Sequence, residues 1–159
     1  MPLAEKALIL EYALAYARHG LAVFPLQYAG KIPMKGTHGH KDATTDESII
    51  KRWFDPTGEK KNIGIATGSI SGFWVLDIDP RNGGEDSHQA LKEEIGPLPC
   101  EWMVLTGGGG WHYYFKWNPA HPVKCGHLDG YEGIDLKGDG GYIVAPPSNH
   151  PSGGFYEWT

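Results

Sequence analysis

Cysteine is scarce in this sequence of 159 residues. Cys100 and Cys125 are the only two, and they belong to no C-x-x-C pair. A disulfide framework and a four-cysteine zinc site are therefore excluded, and the low cysteine content fits a reducing compartment. A mixed zinc site formed by Cys125, His121 and His127 stays open as an alternative, although histidines in loops are more often simply solvated.

Long hydrophobic runs are absent as well. No apolar stretch approaches the roughly twenty residues that span a bilayer, and the N-terminus lacks the pattern of a signal peptide. The sequence therefore predicts a soluble, cytoplasmic protein. Hydrophobic residues make up 40% of the chain and aromatic residues 12%, which is enough to build a core and argues against disorder. We expect one domain over residues 1–159.

An excess of positive charge is the third absence. The formal net charge is −5 with histidine neutral, which argues against a protein that coats nucleic acid through a general positive field. An enzyme that acts on phosphates is not excluded. Bound metal ions carry their own positive charge, and a local cluster of lysines is enough to guide a phosphate backbone past an acidic body.

The first half of the chain is predicted to alternate helices and strands. An apolar stripe with helical spacing predicts a first helix that stops before Gly20. Its members are Leu3, Ala7, Leu10, Leu14 and Ala17. The segment "LAVFPLQ" predicts a strand, and the loop "YAGKIPMKGTHGHKDATTD" that follows it is long enough to suggest a functional role.

Two further helices and a strand are predicted before residue 96. Thr44 and Glu47 form a capping box for a short helix over "DESIIKRWF", and "KNIGIATG" predicts the next strand. A third helix is expected from about Ser87 to Glu94, with Asp86 and Gln89 as its cap pair.

The second half is predicted to be mostly sheet. Short aromatic and β-branched runs separated by Gly, Pro and Asn predict strands at "EWMVLTG", "WHYYFKW", "GIDLKG", "GYIVAPPS" and "FYEWT". The "TGGGGWH" stretch between two of them has two interpretations. Four glycines suit a flexible hairpin, and they also suit a loop whose backbone N–H groups approach a phosphate.

The stretch "WVLDIDP" ends a predicted buried strand with paired negative charge. Successive side chains of a strand point to opposite faces, so Asp77 and Asp79 share one face, and the other face holds Trp74, Leu76 and Ile78. Neighbouring carboxylates repel each other unless a shared proton, a basic group or a divalent cation relieves them. The plain alternative is that the segment "DPRNGG" forms a turn capped by an aspartate side chain.

Two more predicted strands repeat this design. In "WHYYFKW" the alternation puts His112, Tyr114 and Lys116 on one face, and in "GIDLKG" it puts Asp135 and Lys137 on one face. Three strands that each have an apolar side and a polar side are best explained by one shared cleft. Three aspartates, a histidine and a lysine in that cleft suggest Mg²⁺ or Mn²⁺ held by carboxylates and acting on a phosphate substrate.

Four segments of the chain together resemble one known family. They are "GKIPMKGTHGHKDATTD", "NIGIATGSISGFWVLDID", "TGGGGWHYYF" and "GIDLKGDGGYIVAPPSNHPSGGFYEW", and they span nearly the whole chain. The family is the bifunctional DNA primase/polymerase (prim-pol) domain of the archaeo-eukaryotic primase superfamily, found in phage and plasmid replication proteins. The resemblance implies an α+β fold with a mixed or antiparallel sheet of the RNA-recognition type, flanking helices and an active-site cleft on the sheet. It also implies a metal-dependent nucleotidyltransferase, a DNA-templated primase and DNA polymerase.

The resemblance also assigns roles to residues. It implies that Asp77 and Asp79 form the first metal-binding motif and that Asp135 completes a catalytic carboxylate set for two Mg²⁺ or Mn²⁺ ions. His112 would contact the phosphates of the incoming nucleotide. Family members often carry a small polar residue where this chain has Gly110, so we expect a backbone N–H to replace that contact. Further candidates for binding nucleotide or template phosphates are the amides of Gly107, Gly108, Gly109 and Gly110 and the side chains of Lys31, Lys35, Lys41 and Lys137.

The implied partners are a DNA template and primer and (deoxy)nucleoside triphosphates, in the cytoplasm of a bacterial host and without a membrane. Family members often continue into a helical segment and a helicase, so we expect residues 1–159 to be the N-terminal part of a longer replication protein. No cysteine set for a zinc-binding stem is present in the sequence. Two other functions stay open. One is a catalytically degenerate module that binds single-stranded nucleic acid on exposed aromatic residues such as Tyr114, and the other is a metal-dependent phosphoesterase.

Overall fold

The computed structural model describes the backbone of residues 2–159 and the side chains of residues 4–159. Its helices are α1 (Pro2–Arg18), α2 (Glu47–Trp53) and α3 (Gly84–Ile95), and its strands are β1 (Val23–Gln27), β2 (Lys61–Ala66), β3 (Phe73–Ile78), β4 (Trp102–Leu105), β5 (Trp111–Lys116), β6 (Gly126–His127), β7 (Ile134–Lys137), β8 (Tyr142–Ala145) and β9 (Glu157–Trp158). The predicted α+β class is confirmed. Among the described residues, no helix is both long and apolar enough to cross a bilayer.

The strands form two antiparallel sheets. A three-stranded sheet has the order β1-β2-β8, and a six-stranded sheet has the order β6-β7-β3-β5-β4-β9. Strand β3 lies inside the larger sheet, hydrogen-bonded to β5 on one side and to β7 on the other. The three strands with an acidic or basic face are therefore direct neighbours, as a shared cleft requires.

Both faces of β3 are buried, in two different cores. Val75 belongs to the core between the two sheets, together with Tyr114 of β5 and buried side chains of α1 and α2. Leu76 and Ile78 belong to a smaller core on the other side of the larger sheet, which α3 covers. The alternation predicted for "WVLDIDP" is confirmed, and it turns Asp77 toward the second sheet.

Helix α1 is confirmed, and it ends before Gly20 as predicted. Of the predicted apolar stripe, Leu14 and Ala17 are buried and Ala7 and Leu10 are half-buried. Leu3 lies outside the described side chains. Strand β6 is absent from the sequence prediction because a strand of two residues carries no periodic signal.

The predicted cap of α2 is wrong. Its N-cap is Asp46, whose carboxylate accepts hydrogen bonds from the backbone N–H groups of Ser48 (2.9 Å) and Ile49 (3.5 Å). Thr44 instead accepts a hydrogen bond from the Asp46 N–H group. A carboxylate at this position also complements the positive end of the helix dipole, which a threonine does not do.

Helix α3 begins a turn earlier than predicted. It covers Gly84–Ile95 and follows a short 3-10 turn over Pro80–Asn82, so Asp86 and Gln89 lie inside the helix and do not cap it. The N-cap is Gly83, whose φ of 87° is in the left-handed region that glycine adopts easily. The turn chemistry of "PRNGG" therefore sets the helix start.

Asn62 of β2 ties two loops together. Its side chain is buried, and its Nδ2 group donates hydrogen bonds to the carbonyl oxygens of Gly30 (3.1 Å) and Asn149 (2.7 Å). Its Oδ1 atom accepts a hydrogen bond from the Asn149 N–H group (3.1 Å). Because Gly30 precedes Lys31 and Asn149 precedes His150, Asn62 fixes the backbone beside two basic side chains.

We expect Asn62→Ala to lower the free energy of unfolding by about 2–4 kcal/mol, because three hydrogen bonds are lost and the partly buried carbonyl groups of Gly30 and Asn149 lose this partner. Urea denaturation measures the difference. Asn118→Ala is the matched control, since the exposed Asn118 accepts one hydrogen bond from the Ala120 N–H group, and its loss should stay below about 1 kcal/mol. Equal losses in the two variants would contradict the role given to Asn62.

Candidate active site

A row of four polar side chains crosses the larger sheet. Asp77 of β3 lies directly opposite Asp135 of β7 on one side and His112 of β5 on the other. His127 of β6 lies opposite Asp135. Because directly opposed residues point to the same face of a sheet, the row runs in the order His127, Asp135, Asp77, His112.

This row faces a cleft of about 610 Å³ between the two sheets. Asp79 and Lys137 also line it. Facing them, the lining includes Tyr142 of β8 and Lys31 and His40 from the long loop after β1. The Tyr142 hydroxyl donates a hydrogen bond to the Lys31 carbonyl oxygen (2.7 Å), which fixes this part of the loop against the cleft.

Asp77 keeps its negative charge although it is mostly covered. Its side chain is 26% exposed, and burial alone would raise the pKa of its carboxyl group. The contact with His112, whose Nε2 atom lies 3.4 Å from Asp77 Oδ1, and the charges of Lys31 and Lys137 outweigh burial and lower the pKa. Asp77 therefore presents a carboxylate to the cleft at neutral pH.

His112 is packed between Asp77 and an aromatic ring. It is 5% exposed, and its ring lies 5.9 Å from that of Tyr156, measured between centroids. Its Nδ1 atom is buried and has no hydrogen-bond partner among the described residues. Burial, followed by the charge of Asp77, raises the pKa of Tyr156, so the cleft is lined here by a protonated phenol.

The other two aspartates have different partners. Asp135 Oδ1 lies 2.5 Å from His127 Nδ1. Asp79 is the N-cap of the 3-10 turn that follows β3, and its carboxylate accepts hydrogen bonds from the Arg81 N–H group (3.0 Å) and from Asn82 Nδ2 (2.8 Å). The turn-capping alternative is confirmed for Asp79, which also lines the cleft.

The long loop places one of its three candidate lysines in the cleft. Lys31 lines the cleft, whereas Lys35 and Lys41 are exposed and do not belong to its lining. The predicted contacts of Lys35 and Lys41 with a nucleotide in the cleft therefore find no support in their position. The other predicted side chains that line the cleft are Asp77, Asp79, His112, Asp135 and Lys137.

The glycine-rich stretch forms the hairpin turn between β4 and β5. The N–H groups of Gly109 and Gly110 donate to Thr106, to its carbonyl oxygen (3.0 Å) and to its hydroxyl oxygen (2.9 Å) respectively. The amides of Gly109 and Gly110 are therefore engaged within the turn, and the expected contact between a backbone N–H group and phosphate finds no support at these two positions. Gly110 is required by packing, because a Cβ atom there would lie 2.2 Å from the Ile78 carbonyl oxygen.

Tyr114 offers no surface for stacking a base. The residue is 0% exposed, and its ring stacks on that of Phe73 at 4.8 Å between centroids. The prediction of an exposed Tyr114 that holds single-stranded nucleic acid is therefore wrong. Tyr114 does share a face with His112, as predicted, but the two sheets close over that face at its position.

Comparison with known families gives a match over most of the chain. The family model "Bifunctional DNA primase/polymerase, N-terminal" (Prim-Pol) covers residues 13–159, which is nearly the whole chain. The chain belongs to the Prim-Pol family. No curated protein matches it. Within residues 2–159, its three α-helices and two antiparallel sheets are consistent with a Prim-Pol domain.

Membership of the Prim-Pol family implies a nucleotidyltransferase-type primase or polymerase function, with DNA and nucleotides as substrates. Enzymes of the family are generally metal-dependent. The donor chemistry of the cleft fits a divalent cation, since Asp77 and Asp135 lie side by side and supply the hard oxygen ligands that Mg²⁺ and Mn²⁺ prefer. In residues 4–159, no three His, Cys, Asp or Glu side chains are grouped closely enough to hold an ion as they stand. The oxygens of Asp79 are engaged by its own turn.

The mixed zinc site of the sequence prediction is not assembled. Cys125 and His127 line the cleft, whereas His121 is exposed in the loop after β5 and is not part of the lining. Within the described side chains, His127 is bonded to Asp135 and joins no group of three metal-ligating residues.

Sequence reasoning missed the side chains that face the aspartates. His40, Tyr142 and Tyr156 line the cleft, and none of them stood out among candidate residues. The alternation in "GYIVAPPS" separates Tyr142 from Ile143, but it does not indicate what either face meets. A single sequence holds no signal that β8 belongs to a second sheet packed against the first.

The lowered pKa of Asp77 predicts how stability depends on pH. The native state binds a proton at this carboxyl group less readily than the unfolded chain, whose ordinary pKa is 3.8. The resulting stabilisation is present above that value and is lost as the pH falls through the lower native pKa. In urea denaturation below about pH 4, we therefore expect Asp77→Asn to lose less stability with falling pH than the unmodified chain.

The control for this measurement is Asp129→Asn, because the exposed Asp129 makes no side-chain hydrogen bond or ion pair with the described residues. It should keep the pH dependence of the unmodified chain. Identical acid profiles for the unmodified chain and Asp77→Asn would show that Asp77 is not held in its charged form.

Proposed function

We propose that this Prim-Pol domain is a DNA-templated primase and DNA polymerase that joins nucleotides to a growing strand. The observation that carries the proposal is the opposed pair Asp77 and Asp135, whose side chains contact His112 and His127 respectively. Two like charges at directly opposite positions of neighbouring strands destabilise a sheet, and the binding of nucleic acid alone does not require them. A polyphosphate substrate with bound cations gives them a role.

The aspartates would hold the divalent cations, and we propose Mg²⁺ or Mn²⁺ because every donor is a carboxylate oxygen. Asp77 and Asp135 supply adjacent carboxylates on the sheet, and Asp79 supplies a third from the following turn. When bound, the cations supply Lewis-acid stabilisation of the charge that develops during phosphoryl transfer. The chain prepares the site by keeping Asp77 ionised, while Arg81 and Asn82 orient the Asp79 carboxylate.

The basic side chains beside the aspartates would bind the triphosphate. Lys31 and Lys137 are close enough to Asp77 to lower its pKa, so a polyphosphate next to Asp77 meets both charges. The primer 3′ oxygen bonds to the α-phosphorus, the bond to the bridging oxygen breaks, and the hydroxyl proton goes to solvent. Lys31 and Lys137 would compensate the charge that moves onto the departing pyrophosphate. His112 would donate to a phosphate oxygen beside Asp77.

We also propose a setting for this activity. The domain would be the N-terminal catalytic part of a longer protein with helical and helicase segments, acting in phage or plasmid DNA replication in a bacterial cytoplasm. The support for this proposal is membership of the Prim-Pol family, whose match is described as N-terminal.

Replacing both opposed carboxylates tests the proposed chemistry. We expect Asp77→Asn combined with Asp135→Asn to lower nucleotide incorporation on a primed DNA template by about 100-fold or more, because the cations contribute several kcal/mol to the transition state. The assay uses Mg²⁺ or Mn²⁺ and a radiolabelled nucleoside triphosphate. Asp129→Asn is the control outside the cleft, and circular dichroism checks that each variant is folded. Incorporation by the double variant at the unmodified rate would refute the assignment.

The lysine assignments are tested with two residues of the same loop. Lys31 lines the cleft and Lys35 does not. We expect Lys31→Gln to raise the KM for the nucleoside triphosphate about tenfold, the loss of one charge-assisted hydrogen bond, while Lys35→Gln leaves it within about twofold. Steady-state kinetics with the nucleotide varied measures both. A larger effect at Lys35 than at Lys31 would place the nucleotide elsewhere.

A further inference from the structure

His127 is the member of the polar row to which the proposed function gives no role. It lies opposite Asp135 on β6, a strand of two residues at the edge of the larger sheet. Its side chain is 88% exposed, whereas that of His112 near the other end of the row is 6% exposed. A side chain this exposed gains little from burial, so its contact with Asp135 is not a by-product of core packing.

Two hydrogen bonds from backbone N–H groups hold the short strand β6 in place. Before His127 in the chain, the Sγ atom of Cys125 accepts from the Gly138 N–H group (3.4 Å). After it, the Leu128 N–H group donates to the Ile134 carbonyl oxygen (3.0 Å), and the Leu128 side chain packs against the smaller core. The backbone of His127 is therefore fixed on both sides, and the imidazole is held beside Asp135 although its ring is in solvent.

The hydrogen bond between these two side chains has one possible direction when Asp135 is ionised. His127 Nδ1 lies 2.5 Å from Asp135 Oδ1. An ionised carboxylate only accepts hydrogen bonds, so Nδ1 carries the proton and the neutral imidazole has none on Nε2. The other carboxylate oxygen of Asp135, Oδ2, makes no hydrogen bond with the described residues. His127 therefore holds one oxygen of Asp135 and leaves the second available to a ligand.

This contact limits how freely the Asp135 side chain moves. The side chain is 38% exposed, and an aspartate without a partner rotates about two side-chain bonds in solvent. A cation that binds such a carboxylate must restrict that rotation, which costs conformational entropy. In metal sites, hydrogen bonds to the ligand side chains commonly fix their orientation in advance, and removing such a bond weakens metal binding.

We propose that His127 is a positioning residue for Asp135: its Nδ1–H group holds Oδ1 and so presents Oδ2 to the divalent cation. The inference rests on the proposed function for the cation. It gives His127 no contact with the cation or with the nucleotide. Direct coordination through Nε2 is the competing role, and in residues 4–159 no three His, Cys, Asp or Glu side chains are grouped as such a site requires.

Three substitutions at His127 separate a donor at Nδ1 from a ligand at Nε2. Asparagine places an N–H group where histidine has Nδ1, glutamine reaches the position of Nε2, and alanine does neither. In an electron paramagnetic resonance titration with Mn²⁺ and no nucleotide, we expect His127→Ala and His127→Gln to bind Mn²⁺ about fivefold more weakly, the loss of one exposed charge-assisted hydrogen bond. His127→Asn should stay within about twofold of the unmodified chain. His121→Ala is the matched control, because His121 is exposed and does not line the cleft.

The tautomer of His127 gives a readout that needs neither metal nor activity. At about pH 8, where an imidazole in solvent is uncharged, we expect ¹H–¹⁵N NMR to find the proton on Nδ1, and Asp135→Ala should return it to Nε2 because the acceptor is gone. A proton on Nε2 in the unmodified chain would overturn the proposal. In incorporation assays, His127→Ala should need about fivefold more Mn²⁺ for half-maximal rate and reach the unmodified rate at saturation.

The outcomes separate this role from the proposed polymerase activity. Unchanged Mn²⁺ affinity in His127→Ala would overturn the role of His127, even if nucleotides are incorporated. An equal loss in His127→Asn and His127→Ala would also overturn it, because a donor at Nδ1 would then not suffice. Weaker binding in the alanine and glutamine variants alone would support it, even if no incorporation is found and the proposed function fails. Absence of Mn²⁺ binding by the unmodified chain would overturn this role together with the cation assignment.

Discussion

The structure depends on one electrostatic constraint, the placing of Asp77 directly opposite Asp135 in neighbouring strands. Two carboxylates in this position repel each other, and the repulsion is stronger where the surroundings are partly dry. The protein offsets it with a histidine on the outer side of each aspartate and with Lys31 and Lys137 nearby. These groups reduce the repulsion, and Asp77 keeps its negative charge available to a cation.

The second sheet turns this pair into a site. Strand β3 buries Val75 between the sheets and Asp77 at the edge of the same interface, so one face of one strand changes from core to cleft within two residues. Tyr114 and His112 on β5 repeat that change. Exposure falls along the polar row, from 88% at the His127 side chain to 26% at Asp77 and 6% at His112, so charge interactions strengthen toward the covered end of the cleft.

The sequence predicts the faces of the strands better than their surroundings. Strand alternation is a local property, so the common face of Asp77, His112 and Asp135 follows from period two once the strands are recognised. No periodic rule predicts which side chains of a loop point into the cleft. Lys31 and Lys35 are equivalent in the sequence, and the choice between them is made by the Tyr142 hydroxyl and by Asn62, which come from distant segments. The second sheet depends on similar long-range contacts.

The glycine-rich turn shows why motif chemistry needs the packing around it. Gly109 and Gly110 have their N–H groups bound to Thr106, so this turn offers at most the amides of Gly107 and Gly108 to a ligand. Its glycines instead allow close approach: Gly110 to the end of β3, and Gly108 to the side chains of Arg81 and His150. A glycine-rich stretch therefore does not by itself indicate a phosphate-binding loop, because the partners of each amide decide what the turn can bind.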